Sequence, residues 1–386
     1  MIREIKLVLL VLAVLTLNPT DFNVVGQDSQ GFSEAARNIE EAVLAAIKKR
    51  QAPGAVVCIG NSKEVFYHKA FGHRSLQPER ASMERTTVFD LASLTKPIAT
   101  ATSVMILLEE GKVRLRDPVT RYLPEFGENG KRSITVKQLL THVGGLIPDN
   151  ALADYKDGPK VAMEKIYGLK PIWEPGSKFA YTDVGFIVLG EIVQKMSGQS
   201  LADFSKERIF KKLGMGETMF NPPKALQMRA AVTQQRDEKW IQGVVHDPRA
   251  YEMGGVAGHA GLFSTASDLA RYGQMFLNRG RVGEQTILSP ATIDLMTAPY
   301  ELPGGIKRGL GWDKLSPYSS NRGELMSASA FGHGGFTGTA IWIDPELDLF
   351  VIFLSNRVHP DGKGSINRLA GRVGTIAAAY ASRKKK

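Results

Sequence analysis

The 386-residue sequence predicts an α+β fold: an antiparallel sheet built from the N- and C-terminal segments, flanked by helices, with a mostly helical lobe inserted between them. Two patterns carry this. Apolar runs of strand length gather near both ends, and helix-period stripes fill the stretch from about 93 to 300. A third observation concerns organisation: no internal repeat or low-complexity linker divides the chain, so one unit with two lobes is expected rather than independent domains.

Residues 1–26 stand apart. Arg3 and Lys6 precede an apolar run from Leu7 to Leu17, followed by polar residues and the small Gly26, the pattern of a secretory signal peptide. A periplasmic or secreted location is therefore expected. The run is short for a membrane span, and an uncleaved N-terminal anchor is the alternative. The remainder, 27–386, is expected to form a single domain, with a sheet lobe at about 37–92 and 300–381 and a helical lobe at about 93–300.

Taken in order, Ile39, Ala42, Val43, Ala46 and Ile47 make a helical stripe within 37–49. Gly54–Ile59 and Val65–Phe71 then read as strands joined through Asn61-Ser-Lys63, a sequence with turn chemistry. Helices follow at 98–110, 184–196, 201–213 and 267–278, closed by Gly111, Gly198, Gly214 and Gly280. Ala340–Ile343 and Leu349–Ser355 predict a second hairpin across Asp344-Pro345, and a helix runs from Ile366 to about Ala381.

Composition is that of an ordinary globular protein, 43% hydrophobic and 23% charged. The net charge of +10 is diffuse apart from the last residues, and no groove-binding motif or aromatic-interleaved basic stripe accompanies it. No nucleic-acid partner is expected, and no stable membrane partner beyond the anchor already mentioned. Cys58 is the only cysteine, which excludes internal disulfides, and its apolar surroundings read as a buried core thiol.

The chemistry begins at Ser93 and Lys96, three residues apart in Leu91-Ala-Ser-Leu-Thr-Lys-Pro97. At helical spacing the amine reaches the hydroxyl and, once partly buried, accepts its proton. The bland alternatives are an N-capping serine and a solvated first-turn lysine; Ser382 and Lys385 show the same spacing in a basic tail. Tyr181, in Phe179-Ala-Tyr-Thr-Asp-Val184, lies at a loop edge before a helix, where a phenol lowered by Lys96 could shuttle a proton. A half-buried structural aromatic is its alternative, as an N-cap is for Asp183. Glycines around His333, in Phe331-Gly-His-Gly-Gly-Phe-Thr-Gly-Thr339, allow a ligand close to the backbone or simply make a tight turn.

In this order, Ser93-x-x-Lys96, Tyr181-x-Asp183 and His333-x-Gly335 resemble the serine beta-lactamase and penicillin-binding-protein superfamily, in particular its class C-like branch of esterases and DD-peptidases. Leu139-Leu-Thr-His-Val-Gly-Gly-Leu146, Gly255-Val-Ala-Gly-His-Ala-Gly-Leu-Phe-Ser264, Gly309-Leu-Gly-Trp312 and Leu354-Ser-Asn-Arg357 add to the likeness, which spans about 37–380. The resemblance implies a beta-lactamase/transpeptidase-like fold and a serine hydrolase acting through an acyl-enzyme on a small ester or amide, or on a cell-wall peptide, without a cofactor. It implies Ser93 as nucleophile, Lys96 as its activator and Tyr181 as sharing proton transfer. Asp183, His333, Gly335 and Phe336 would contact substrate, and the N–H groups of Ser93 and Phe336 would form the oxyanion hole.

Two departures matter. Asp183 replaces the commoner Asn, and His333 replaces a Lys, removing donor or positive character where a beta-lactam places its carboxylate; efficient penicillinase activity is not expected. A non-catalytic module recognising cell-wall peptide or a protein is the rival reading. His142 and His259 lack metal-ligand spacing and read as loop residues that hydrogen-bond backbone near the cleft, so no metal is expected. Loops 150–175, 215–255 and 300–330 are expected to line that cleft.

Overall fold

The computed structural model describes residues 31–384, so the leader expected at 1–26 lies outside the described residues. Helix α1 (Ser33–Lys48) buries the predicted stripe of Ile39, Ala42, Val43 and Ala46. Strands β1 (Gly54–Gly60), β2 (Val65–Ser75) and β3 (Ala81–Ser82) follow, and β4 (Tyr300–Leu302), β5 (Ile306–Arg308), β6 (Asp313–Leu315), β7 (Phe331–Gly335), β8 (Thr339–Asp344) and β9 (Leu349–Ser355) come from the other end. They form one nine-stranded antiparallel sheet in the order β4-β5-β6-β7-β8-β9-β1-β2-β3. The join lies at β1 and β9, where Val57 pairs with Phe353 and Cys58 with Ile352.

Both of those strands are buried along their whole length, because each face is covered. Val57, Ile59, Val351 and Phe353 pack in one core with α1 and the last helix. Val56, Cys58, Ile352 and Leu354 point the other way, into the larger core shared with the helical lobe. Asn61 Oδ1 accepts the N–H groups of Lys63 and Glu64, closing the first hairpin. Ser62 in turn donates through its N–H and Oγ to Asp348, tying that hairpin to the turn between β8 and β9.

The helical lobe differs from its periodicity in two ways. The helix expected at 98–110 begins as a π-helical segment, Lys96–Ala101, before α2 (Thr102–Glu109), and the one at 201–213 likewise passes from Leu201–Ser205 into a π turn at Lys206–Phe210. Helix α3 (Asp183–Ser197) is capped by the Thr182 hydroxyl, which accepts from the Gly185 N–H, and ends at Gly198 with φ +72°. Helices α4 (Ala266–Leu277) and α5 (Asn367–Lys384) complete the frame. The lobe also holds short strands too brief to leave a period in the sequence: Phe89–Asp90 and Met219–Phe220 both pair with Leu262–Ser264.

The small sheet delivers the chain to Ser93, and the large sheet fastens it there. Thr337 Oγ1 donates to the Asp90 carbonyl at 2.7 Å and Thr339 Oγ1 to that of Leu91 at 3.1 Å. Gly335 permits the approach: a Cβ on it would stand 2.4 Å from the Leu91 oxygen.

Candidate active site

Ser93 occupies the 3-10 turn Ala92–Leu94, which opens with Ala92 at φ +46°, an unfavourable region for a residue with a Cβ. The Asp90 carboxylate holds this turn, accepting the Ala92 N–H at 2.8 Å with one oxygen and the His246 N–H at 2.6 Å with the other. Burial pushes the Asp90 carboxyl up to about 6, against the pull of those two donors.

One turn on, Lys96 is wholly buried. Its Nζ donates to Ser93 Oγ at 3.0 Å and to the His259 carbonyl at 3.1 Å, and it pairs with Asp183 Oδ1 at 2.6 Å. Burial alone would lower this ammonium, as the sequence predicts. The Asp183 carboxylate, with the Tyr181 phenol, outweighs burial and moves the net shift upward. Asp183 is thus not the helix cap but the counter-ion of Lys96, Thr182 having taken the capping role.

Tyr181 lies beside both groups, its ring centroid 4.9 Å from Lys96 Nζ. Its pKa is raised rather than lowered, because burial outweighs the pull of Lys96 and Ser93. His142, with φ +60°, positions this tyrosine. Its carbonyl accepts the Ala180 N–H at 3.0 Å, its Nδ1 accepts the Thr182 N–H at 3.1 Å, and its ring stacks on Tyr181 with centroids 4.4 Å apart. Because Nδ1 accepts, the neutral ring carries its proton on Nε2, and burial, with Arg308 and Lys96 nearby, holds its pKa well below the usual range.

His333, on β7, is buried, with Nδ1 at 2.8 Å from the Gly334 carbonyl. Burial first, then Arg308 and Lys96, keep it neutral by holding its pKa well below 6.5. Phe336 is 61% exposed, stacks on His246 and lies 4.5 Å beneath the Arg357 guanidinium. Ser93, Tyr181, Tyr318 and Phe336 separate two cavities, of about 290 Å³ on the His333 side and about 650 Å³ on the Asp183 side. Their walls draw on the expected 215–255 and 300–330 loops but on nothing from 150–175. Most of that segment is exposed on the surface, anchored where buried Tyr155 donates to Asn150 and Arg249 holds the Asn150 carbonyl.

Sequence reasoning missed Arg308. It sits just before Gly309-Leu-Gly-Trp312, lines the smaller cavity and is fully buried. Its charge faces Asp313 at 3.5 Å, and none of its three nitrogens makes a hydrogen bond among the described residues. Its place immediately beside a motif was the available signal. Also unread was the convergence of Asp183, Asp247 and His259, whose ligand atoms lie within 4.8 Å of one another. Here Lys96 already pairs with Asp183, while His259 Nε2 and the Ala250 N–H both meet Asp247 Oδ1.

The profile of the Beta-lactamase family matches residues 36–374. Among curated relatives, a protein of Escherichia coli K12 named "Putative D-alanyl-D-alanine carboxypeptidase" is 32% identical over 344 residues, covering 80% of this chain and 79% of that protein. The N-acetylmuramyl-L-alanine amidase of Bacillus subtilis 168 is also 32% identical over 344 residues, covering 80% of this chain and 78% of the amidase. In fold, the chain is similar to EstCE1, a hydrolase with promiscuous acyltransferase activity, at TM-score 0.73 and 22% identity, covering 91% of this chain and all of that one. A penicillin-binding protein homologue from Caulobacter crescentus aligns at TM-score 0.72 and 22% identity, over 90% of this chain and 98% of its own.

Proposed function

The chain belongs to the Beta-lactamase family of serine hydrolases, and on that premise we propose that it hydrolyses an ester or amide through an acyl-enzyme on Ser93. The observation that carries this reading is the Ser93 Oγ to Lys96 Nζ hydrogen bond of 3.0 Å at the junction of two cavities. Ser93 Oγ attacks the carbonyl carbon, the oxyanion is met by the N–H groups of Ser93 and Phe336, and the leaving group departs with a proton. Tyr181, its pKa raised by burial, suits the acid that delivers that proton. Water then attacks the acyl-enzyme and releases the acid.

The substrate reading is a cell-wall peptide or muropeptide amide. It draws on the carboxypeptidase and amidase names of the two relatives and on Arg308, which supplies at the smaller cavity the positive charge that neutral His333 does not. A periplasmic or secreted location, reached through the leader at 1–26, accords with such a substrate.

The test is acylation followed by intact mass. Wild-type protein incubated with a fluorophosphonate gains one adduct, mapped to Ser93, and turns over a chromogenic ester. Ser93→Ala gains none, keeps its melting temperature and loses about 10³-fold or more in kcat. A wild-type protein that is neither labelled nor active would be a binding module instead.

A further inference from the structure

Lys96 Nζ stands close to three oxygens, donating hydrogen bonds to two and forming an ion pair with the third. Ser93 Oγ, the His259 carbonyl and Asp183 Oδ1 stand at 3.0, 3.1 and 2.6 Å from its Nζ. An ammonium has three donors and no lone pair, so Lys96 in this arrangement cannot take a proton from Ser93 without giving one up. Of these three oxygens, only the Asp183 carboxylate is a base that can take up a proton. The His259 carbonyl cannot hold a proton, and Ser93 is the donor.

We infer that Asp183 is the terminal proton acceptor for the attack of Ser93, with Lys96 as the relay between them. A Lys96 N–H bond breaks first and its proton bonds to Asp183 Oδ1, leaving a lone pair on Nζ; the neutral amine turns that lone pair to Ser93, and as the Ser93 Oγ–H bond breaks its proton bonds to Lys96 Nζ. The Ser93 oxygen forms its bond to the carbonyl carbon, and the carbonyl π pair moves to oxygen. When the intermediate collapses, the leaving group takes its proton from Tyr181. The proton on Asp183 returns through Lys96 to restore the phenol, and water is activated along the same route in the second half of the cycle. No proton is drawn from solution, since resting ion pair and working neutral pair contain the same number of protons.

The pair is well placed to interconvert. Lys96 is fully buried and Asp183 only 20% exposed, so little water screens the pair, and the 2.6 Å between Nζ and Oδ1 leaves a short path for a proton. The other titratable or charged groups facing it are Tyr181, Asp149, Asp247 with His259, and the neutral His142 and His333. This inference rests on Ser93 being the nucleophile, yet it fails separately.

The experiment is the pH dependence of kcat/KM for wild type, Asp183→Asn and Asp183→Glu on one neutral chromogenic ester, alongside fluorophosphonate labelling of each. With the relay, wild type is flat through neutral pH. Asp183→Asn must first lose the Lys96 proton to solution, so its activity falls by ~10²-fold or more at neutrality and rises tenfold per pH unit as the medium is made alkaline. Asp183→Glu restores a flat neutral profile at reduced rate. If Asp183 merely holds Lys96 in an inactive protonated state, the shift has the opposite sign: in Asp183→Asn the acid limb moves to lower pH and neutral activity equals or exceeds wild type. That result, or an unchanged profile, overturns the inference while leaving Ser93 labelling intact. Absence of labelling in wild type would remove the nucleophile itself.

Discussion

His142 and Tyr181 stack with ring centroids 4.4 Å apart, and the backbone N–H groups on either side of the tyrosine, those of Ala180 and Thr182, both end on His142. A single residue therefore sets the depth, tilt and register of the phenol against Ser93. His142→Phe keeps an aromatic face but loses the Nδ1 acceptor, and it must hold φ +60°. We expect kcat to fall ~10–100-fold with KM nearly unchanged, the signature of misplacement. His142→Asn offers an amide oxygen near the position of Nδ1 and tolerates the left-handed backbone, so it recovers most of the loss. Equal damage from both variants would reduce His142 to packing.

Gly335 is where the large sheet touches the chain entering Ser93. In Gly335→Ala the new methyl would meet Thr339 Oγ1 at 2.2 Å and the Leu91 carbonyl at 2.4 Å, and backbone cannot yield cheaply. Thermal melts should show a loss of about 1–3 kcal/mol, with slower fluorophosphonate labelling of Ser93. Labelling at the wild-type rate would mean that the hairpin is not what aligns the serine.

Arg308 should sort substrates by charge. Arg308→Gln is expected to raise KM for a carboxylate-bearing amide ~10-fold or more while a neutral ester is affected several-fold less. Parallel steady-state measurements on the two substrates decide it. An equal effect on both would confine Arg308 to its ion pair with Asp313.

Asp90 makes stability depend on pH in an identifiable direction. Its carboxyl is raised from 3.8 to about 6 in the folded state, so the native protein takes up the proton first. The contribution is fully present below the unfolded value and is lost as pH rises through about 6. It amounts to about 3 kcal/mol at most. Urea titrations at acidic and neutral pH, run on wild type and Asp90→Asn, should show a slope smaller by this amount in the variant, since Asp268, likewise raised to about 6 by burial, contributes in the same sense to both. Asp247, whose pKa burial raises but His259 lowers further, acts in the opposite sense and only under more acid conditions. An identical slope in the two proteins would remove Asp90 from the account.

Much of the architecture was legible because the two ends of the chain carry short continuous apolar runs bounded by turn residues and the helices end at glycines. The hairpins at β1–β2 and β8–β9 differ from their predicted limits by only a few residues. Illegible were the π-helical entry at Lys96–Ala101, where one extra residue per turn leaves no hydrophobic signature, and the two-residue strands around Phe89 and Met219. At the site, the sequence brings Ser93, Lys96, Tyr181 and His333 to mind through local motifs, and the structure brings them to one cleft. It misjudged the charge state of that cleft. Lys96 and Asp183 are distant in the chain, so the ion pair that lifts Lys96 cannot be seen from either motif alone. Arg308 escaped notice for a related reason: burial of a guanidinium depends on which aromatic and acidic neighbours the fold supplies.

The pairing of β1 with β9 bears on how this molecule comes into being. β1 is made early and β9 near the end, yet they are neighbours at the middle of the sheet rather than at its edge. The first hairpin therefore waits, one flank unpaired, until almost the whole chain has emerged, and the Thr337 anchor on Asp90 spans 247 residues of sequence. Such long-range closure is slow, and the waiting strand is a template for pairing with other chains. Shortening the protein from its C-terminus thus should not trim it gradually. Loss of β9 would split the sheet in two and leave an aggregation-prone fragment.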